Sequence, residues 1–175
     1  MKPKSPNWRY RGRVAGVAFL MLATVSANSY AATRSGEPFS GHGGKIALTA
    51  QQAAARAHLD LFLRNVVGKD QSPSSEAAVR ISVRSDADGP RLLWVTDVFQ
   101  SGSQFSGVQA GHSANPARIV HFERTQIVDW SFVGSDGRMY GNYGTRLVLA
   151  TVNPTQAHQI AAILSENPTP REWFQ

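Results

Sequence analysis

The stretch from Ile127 to Arg146 constrains the fold more than any other part of the chain. It runs IVDWSFV, then Gly134-Ser135-Asp136-Gly137, then Arg138-Met139-Tyr140-Gly141-Asn142-Tyr143-Gly144-Thr145-Arg146. Apolar residues flank an Asp-Gly pair, and glycine accepts positive φ without steric cost, so two strands joined by a tight turn are predicted. A hairpin of this kind places the chain in an antiparallel sheet.

The preceding residues fit that frame. Thr49-Ala50-Gln51-Gln52 has capping-box spacing, and a helix is expected from about Ala50 to Val67. Leu59, Phe62, Leu63 and Val66 form its apolar stripe, and Gly68 is a natural stop. His58 and Asp60 are expected at its solvated edge. After a polar loop the period becomes two. Val79, Ile81 and Val83 alternate with Arg80, Ser82 and Arg84, as in a half-buried strand. Asp86 to Pro90 turns the chain into a second, more apolar and more central strand, Leu92 to Gln100. Phe105 to Ala110 and Ile119 to Glu123 follow as the third and fourth, and the hairpin supplies the fifth and sixth. Thr145 to Val152 fits either a strand or a short helix. Asn153-Pro154-Thr155 starts a final helix with proline in its first turn, ended by Pro168 and Pro170. Trp173 and Phe174 either fold back on the domain or form a small partner contact. The expected class is α+β: an N-terminal helix packed on an antiparallel sheet of about five to six strands, with a short C-terminal helix.

The N-terminal residues read as an address. Lys2, Lys4, Arg9, Arg11 and Arg13 precede Val14 to Val25, an apolar run of 12 residues. A bilayer span needs about 20. Ser29-Tyr30-Ala31 fits a cleavage site, so residues 1–31 are expected to be a secretory signal peptide. Residues 32–45 are expected to be a flexible leader, 46–166 a single domain and 167–175 a tail. The charge argument depends on this division. The whole chain has 18 Lys and Arg against 12 Asp and Glu, a net +6. The signal holds five of the bases and none of the acids, so the remainder is 13 minus 12, or +1. The basic excess therefore serves export and does not indicate a nucleic-acid partner. The chain has no cysteine, which removes disulfides, thiol nucleophiles and thiolate metal sites from consideration.

The hairpin and the strands before it resemble the YegJ-like family of bacterial proteins, a domain of unknown function often found with a signal peptide. The resemblance rests on Leu93-Trp94-Val95-Thr96-Asp97-Val98, on Phe105-Ser106-Gly107-Val108, on Ile127-x-Asp129-Trp130-x-Phe132, and on Asp136-Gly137-Arg138-Met139-x-Gly141 with Tyr143 and Arg146. It covers roughly Thr49 to Ala150. Family members typically carry a Gly-Gly-Tyr-Thr-x-Arg corner. Here Asn142 replaces the second glycine and Gly144 the threonine. Asparagine tolerates positive φ better than most residues, and Thr145 supplies a neighbouring hydroxyl. The resemblance implies an α+β fold and an envelope setting, and no activity.

The residues that could carry function are Asp129, Trp130, Tyr143 and Arg146. Asp129 and Trp130 are adjacent on a strand and so are expected on opposite faces. With Trp130 inward, Asp129 would face out and pair with Arg146 or Arg138, securing the corner; the alternative is a shallow polar site with an aromatic wall. Gly141 to Gly144 could present amides to an anion beside Arg146. Gly111-His112-Ser113-Ala114-Asn115 misses the nucleophile-elbow pattern. His42, His58, His112, His121 and His158 have no metal-ligand spacing, and His121 is expected outward on its strand. No cofactor or metal is expected. The leading reading is an exported, non-catalytic module that binds an envelope protein or wall component and has no transmembrane helix in the mature chain. One alternative is a small envelope enzyme with Asp129 as base, Arg146 as anion clamp and His121 as proton shuttle. Another is a structural accessory domain.

Overall fold

The computed structural model describes residues 42–67, 74–84, 91–110 and 118–175. The expected signal peptide, the leader as far as residue 41, the turn at Asp86 to Pro90 and the loop carrying His112 and Ser113 lie outside the described residues. Six strands form one sheet: β1 (Ser74–Val83), β2 (Arg91–Ser101), β3 (Gln104–Gln109), β4 (Ile119–Glu123), β5 (Ile127–Val133) and β6 (Met139–Gly141). The spatial order is β4-β3-β2-β1-β5-β6, with every pair antiparallel. Helices α1 (His42–Ala57), α2 (Leu59–Asn65), α3 (Tyr143–Val148) and α4 (Pro154–Ile163) complete the α+β fold, with a 3-10 turn at Arg171–Phe174. Among the described residues, no helix is long and apolar enough to cross a membrane.

The expected single helix from Ala50 to Val67 is two helices. It begins at His42, so Thr49 lies within α1 and is not its cap. It breaks at His58, whose backbone leaves the helical region (φ −106°, ψ 5°). His58 is not a solvated edge residue either: its Nδ1 lies 2.8 Å from the Tyr143 hydroxyl. That partner is 85 residues away in sequence, so helical periodicity carries no trace of it.

The core lies between α1–α2 and one face of the sheet. Ala77, Val79 and Ile81 of β1, Val95 of β2, Phe105 of β3 and Phe122 of β4 are buried there with Leu59 and Phe62. Trp130 is its centre, with no exposed surface. Its ring stacks on Phe62 at 4.8 Å between centroids, and its indole N–H donates to the Ala55 carbonyl at 2.8 Å. Such a ring needs a partner for its one polar atom when buried, and α1 supplies it. A smaller cluster forms where Met139 of β6 packs with Ile160 of α4 and Leu164.

Three register shifts interrupt the sheet, the first between Ser74 and Ala78 where β1 pairs with β2. In β2 the register with β3 slips between Thr96 and Phe99, where Asp97 adopts φ 49°. Gly107 lies opposite, and a Cβ there would come within 2.6 Å of the Thr96 carbonyl. In β5 the register with β1 slips so that Ile81 pairs with Ile127 and Arg80 with Asp129. One extra residue therefore sits in β5, which is a β-bulge. It explains how Ile127 and Trp130, three residues apart, enter the same core.

The C-terminal residues close the β6 edge. Met139 and Leu164 form a parallel bridge. The Ser165 amide donates to the Met139 carbonyl at 2.9 Å, and the Gly141 amide to the Pro168 carbonyl at 2.7 Å. An edge with unpaired amides invites association, and here the chain covers its own. The tail divides: Trp173 stacks on Phe132 at 5.0 Å, whereas Phe174 is 62% exposed and meets only the edge geometry of His58, at 5.9 Å.

Candidate functional site

The hairpin turn forms as its residues dictate. The Gly134 amide donates to the Arg138 carbonyl at 2.9 Å and the Gly137 amide to the Gly134 carbonyl at 3.0 Å, with Gly137 at φ 73°. The Asp136 carboxylate accepts from the Arg138 amide and the Tyr140 hydroxyl, each at 2.9 Å. The Arg138 amide, more than any other group, draws the Asp136 pKa below its ordinary value.

After β6 the chain turns sharply through two residues of positive φ, Gly141 at 68° and Asn142 at 52°. Asn142 thus holds a left-handed position that few side chains tolerate, and its Oδ1 accepts from the Thr145 hydroxyl at 2.7 Å. Gly141 is required by contact as well as by φ: a Cβ there would strike the carbonyl and the ring of Trp130. The segment Thr145 to Val152, open between strand and helix by sequence, enters α3 as far as Val148.

Asp129 does not face solvent. It is 1% exposed: it alternates with Trp130 as expected, pairing with Arg80 where Trp130 pairs with Val79, but the α3 N-terminus and Gln51 of α1 cover it. Four N–H groups converge on its carboxylate. Oδ1 accepts from the amides of Trp130 at 2.9 Å and Tyr143 at 3.1 Å. Oδ2 accepts from the Gly144 amide at 2.8 Å and from Gln51 Nε2 at 3.2 Å. Two of these are the first amides of α3, which an N-terminal cap must satisfy. Asp129 therefore caps a helix 14 residues downstream. Burial raises its pKa to about 6, with the amides of Gly144, Trp130 and Tyr143 and the charge of Arg80 pulling the other way. A Cβ at Gly144 would fit tightly, 3.2 Å from Asp129 Oδ2 and 3.3 Å from Arg80 Nη1.

Arg146 does not pair with Asp129. Its Nε donates to the Gly141 carbonyl at 2.8 Å, Nη1 to the Ser165 carbonyl at 2.8 Å, and Nη2 to Ser165 Oγ at 3.0 Å and the Met139 carbonyl at 3.4 Å. The guanidinium thus ties the corner to the C-terminal segment. Its partial burial lowers its pKa, while Tyr143 and Asp129 act in the opposite direction. Arg138 likewise donates to a backbone oxygen, that of Ala162, and does not meet Asp129. The expectation of a carboxylate–guanidinium pair fails because backbone groups meet both partners first.

Tyr143 links three segments. Its amide reaches Asp129, its hydroxyl contacts His58, and the same oxygen lies 3.4 Å from Thr169 Oγ1. Its ring meets Trp130 edge-on at 5.5 Å. His121 stands apart, exposed on β4, four strand positions from β5. At about 4.8 Å per strand that is about 19 Å across the sheet. Asp129, Arg146 and His121 therefore do not converge on one reacting atom. Asp129, Trp130 and Tyr143 do converge, as core and cap. Gln51, His58, Ser165 and Thr169 complete the corner, and no sequence pattern places them there, since each acts through a contact made only by folding.

A groove of about 720 Å³ opens beside the corner, between the hairpin and the C-terminal segment. Arg138, Arg146 and Arg171 line it with Asp136, Glu166 and Glu172. Among the described residues, no cluster of three His, Asp or Glu could hold a metal ion. Compared with known proteins, the chain matches no family model, no curated protein and no solved structure.

Proposed function

We propose that this chain is an exported, non-catalytic interaction module of the bacterial envelope, and that it engages a protein or wall component through the groove beside Arg146. The observation that carries the reading is the occupancy of the conspicuous polar groups. Four internal N–H donors fill the Asp129 carboxylate. Internal oxygens receive Arg146. A base or an anion clamp needs free lone pairs or free N–H groups directed at a substrate, and these residues direct theirs into the fold. What faces solvent beside them is a groove of mixed charge, with Arg171 and Glu172 on its exposed rim. The kinship to the YegJ-like family belongs to the same proposal. The residues that suggest it, Asp129, Trp130, Gly141 and Arg146, are those that build the corner.

Two measurements test this. Cell fractionation of the full chain should place a processed form, beginning near Ala32, outside the cytoplasm; an unprocessed cytoplasmic chain would overturn the export half. A photo-crosslinking residue at position 171 should trap a discrete adduct in intact cells, while the same residue at position 119, on the distant β4 edge, should not. Identical patterns from both positions, or none from either, would remove the binding surface from the proposal.

A further inference from the structure

A second groove lies at the opposite side of β5, and its charge is one-sided. It has a volume of about 700 Å³ and runs between α1, the ends of β1 and β2, and the residues just before the β5 bulge. Arg56 enters from α1 and Arg84 from the end of β1. Gln52 and Thr125 add polar groups, and Leu92 and Val128 form an apolar wall. No described residue lining it is a carboxylate. The groove beside Arg146 differs, since three carboxylates there offset three guanidinium groups.

Arg56 is held in place without being neutralised. Its Nε and Nη2 reach the carbonyls of Ile127 and Thr125 at 3.4 and 3.3 Å. Those bonds are long, and they leave other N–H donors of the guanidinium unassigned. Arg84 makes no hydrogen bond or ion pair with another described residue. Among the described residues the ion pair that does form is Arg124 with Asp60, at 2.6 Å. Two like charges facing one cavity repel, and an anion bound between them reverses that repulsion. Guanidinium forks match the oxygens of phosphate and carboxylate in geometry as well as charge. Leu92, 36% exposed, gives such a ligand an apolar surface to cover.

We infer that the groove between Arg56 and Arg84 binds a small oxyanion attached to an apolar body, of the type of an organic phosphate or carboxylate. The site is independent of the groove proposed for the envelope partner. Its failure would leave that proposal standing.

Titration calorimetry on the purified full chain tests the inference with three probes: inorganic phosphate, phenyl phosphate and benzoate. Phenyl phosphate should bind about tenfold more tightly than inorganic phosphate, because its ring covers the apolar wall. The stronger binder of phenyl phosphate and benzoate identifies the oxyanion class. Arg84→Gln and Arg56→Gln should each weaken binding about tenfold, and Arg171→Gln, in the other groove, should not. Methyl shifts of Leu92 on adding phenyl phosphate give a readout that stays valid if a variant is destabilised. Absence of binding by any probe, equal weakening by Arg171→Gln, or an unmoved Leu92 would each overturn the inference. One further arm concerns Asp86 and Asp88, which follow Arg84 in sequence and lie outside the described residues. If anions bind only to an Asp86→Asn, Asp88→Asn double variant, the chain supplies its own countercharge and the inference fails.

Discussion

Replacing Asp129 with asparagine separates two opposing forces on one buried carboxylate. Burial favours the neutral form, and the surrounding N–H donors favour the charged form. In the folded chain burial prevails, moving the pKa from 3.8 to about 6. At 1.36 kcal/mol per pH unit that difference corresponds to about 3 kcal/mol. The folded-state value lies above the ordinary one, so the stabilising contribution of the neutral form is complete below pH 3.8. It is lost as pH rises through about 6. Asparagine does not titrate, so its altered hydrogen bonding adds an offset that does not vary with pH. Urea denaturation of wild type and Asp129→Asn, compared at matched pH, cancels the other carboxylates to first order. The stability of wild type relative to the variant should fall by about 3 kcal/mol between about pH 4 and about pH 7. If wild type instead gains on the variant over that window, the amides outweigh burial and the reasoning is wrong. A carboxyl carbon titration of Asp129 with its midpoint well below 5, on the order of the free-residue value, would say the same.

Three other expectations follow from the corner. Gly137 and Gly141 both hold positive φ, but a Cβ meets open space at the first and Trp130 at the second. Gly137→Ala should cost about 1 kcal/mol and Gly141→Ala more than about 3 kcal/mol in chemical denaturation, and equal costs would refute the packing argument. Arg146→Lys keeps the charge but cannot reproduce the donors that reach Gly141, Met139 and Ser165. It should cost about 2 kcal/mol and speed hydrogen exchange at the Ser165 amide; unchanged exchange there would show that Arg146 does not hold the C-terminal segment. Trp173→Ala removes the stacking on Phe132 and should cost about 2 kcal/mol, whereas Phe174→Ala should stay within about 0.5 kcal/mol. A reversed order in thermal melts would reassign the two tail aromatics.

What the sequence by itself determined is local. The Asp136-Gly137 turn, the alternation of β1 and the positions of the later strands follow from φ preferences and period-two burial. Those forces act between neighbours and are written in neighbouring residues. Asn142 belongs to the same class, because its tolerance of positive φ is a property of the residue. The break at His58 and the burial of Asp129 under α1 and α3 were decided by tertiary structure. One extra residue in β5 brings Ile127 into the same core as Trp130, and no spacing rule marks where a bulge falls. Apart from the adjacent Trp130 amide, the partners of Asp129, Arg146 and His58 come from α1, β6, α3 and the C-terminal segment, between 5 and 85 residues away. A buried charge must find donors or acceptors wherever the fold supplies them. The sequence showed which residues carry charge, and packing chose what they hold.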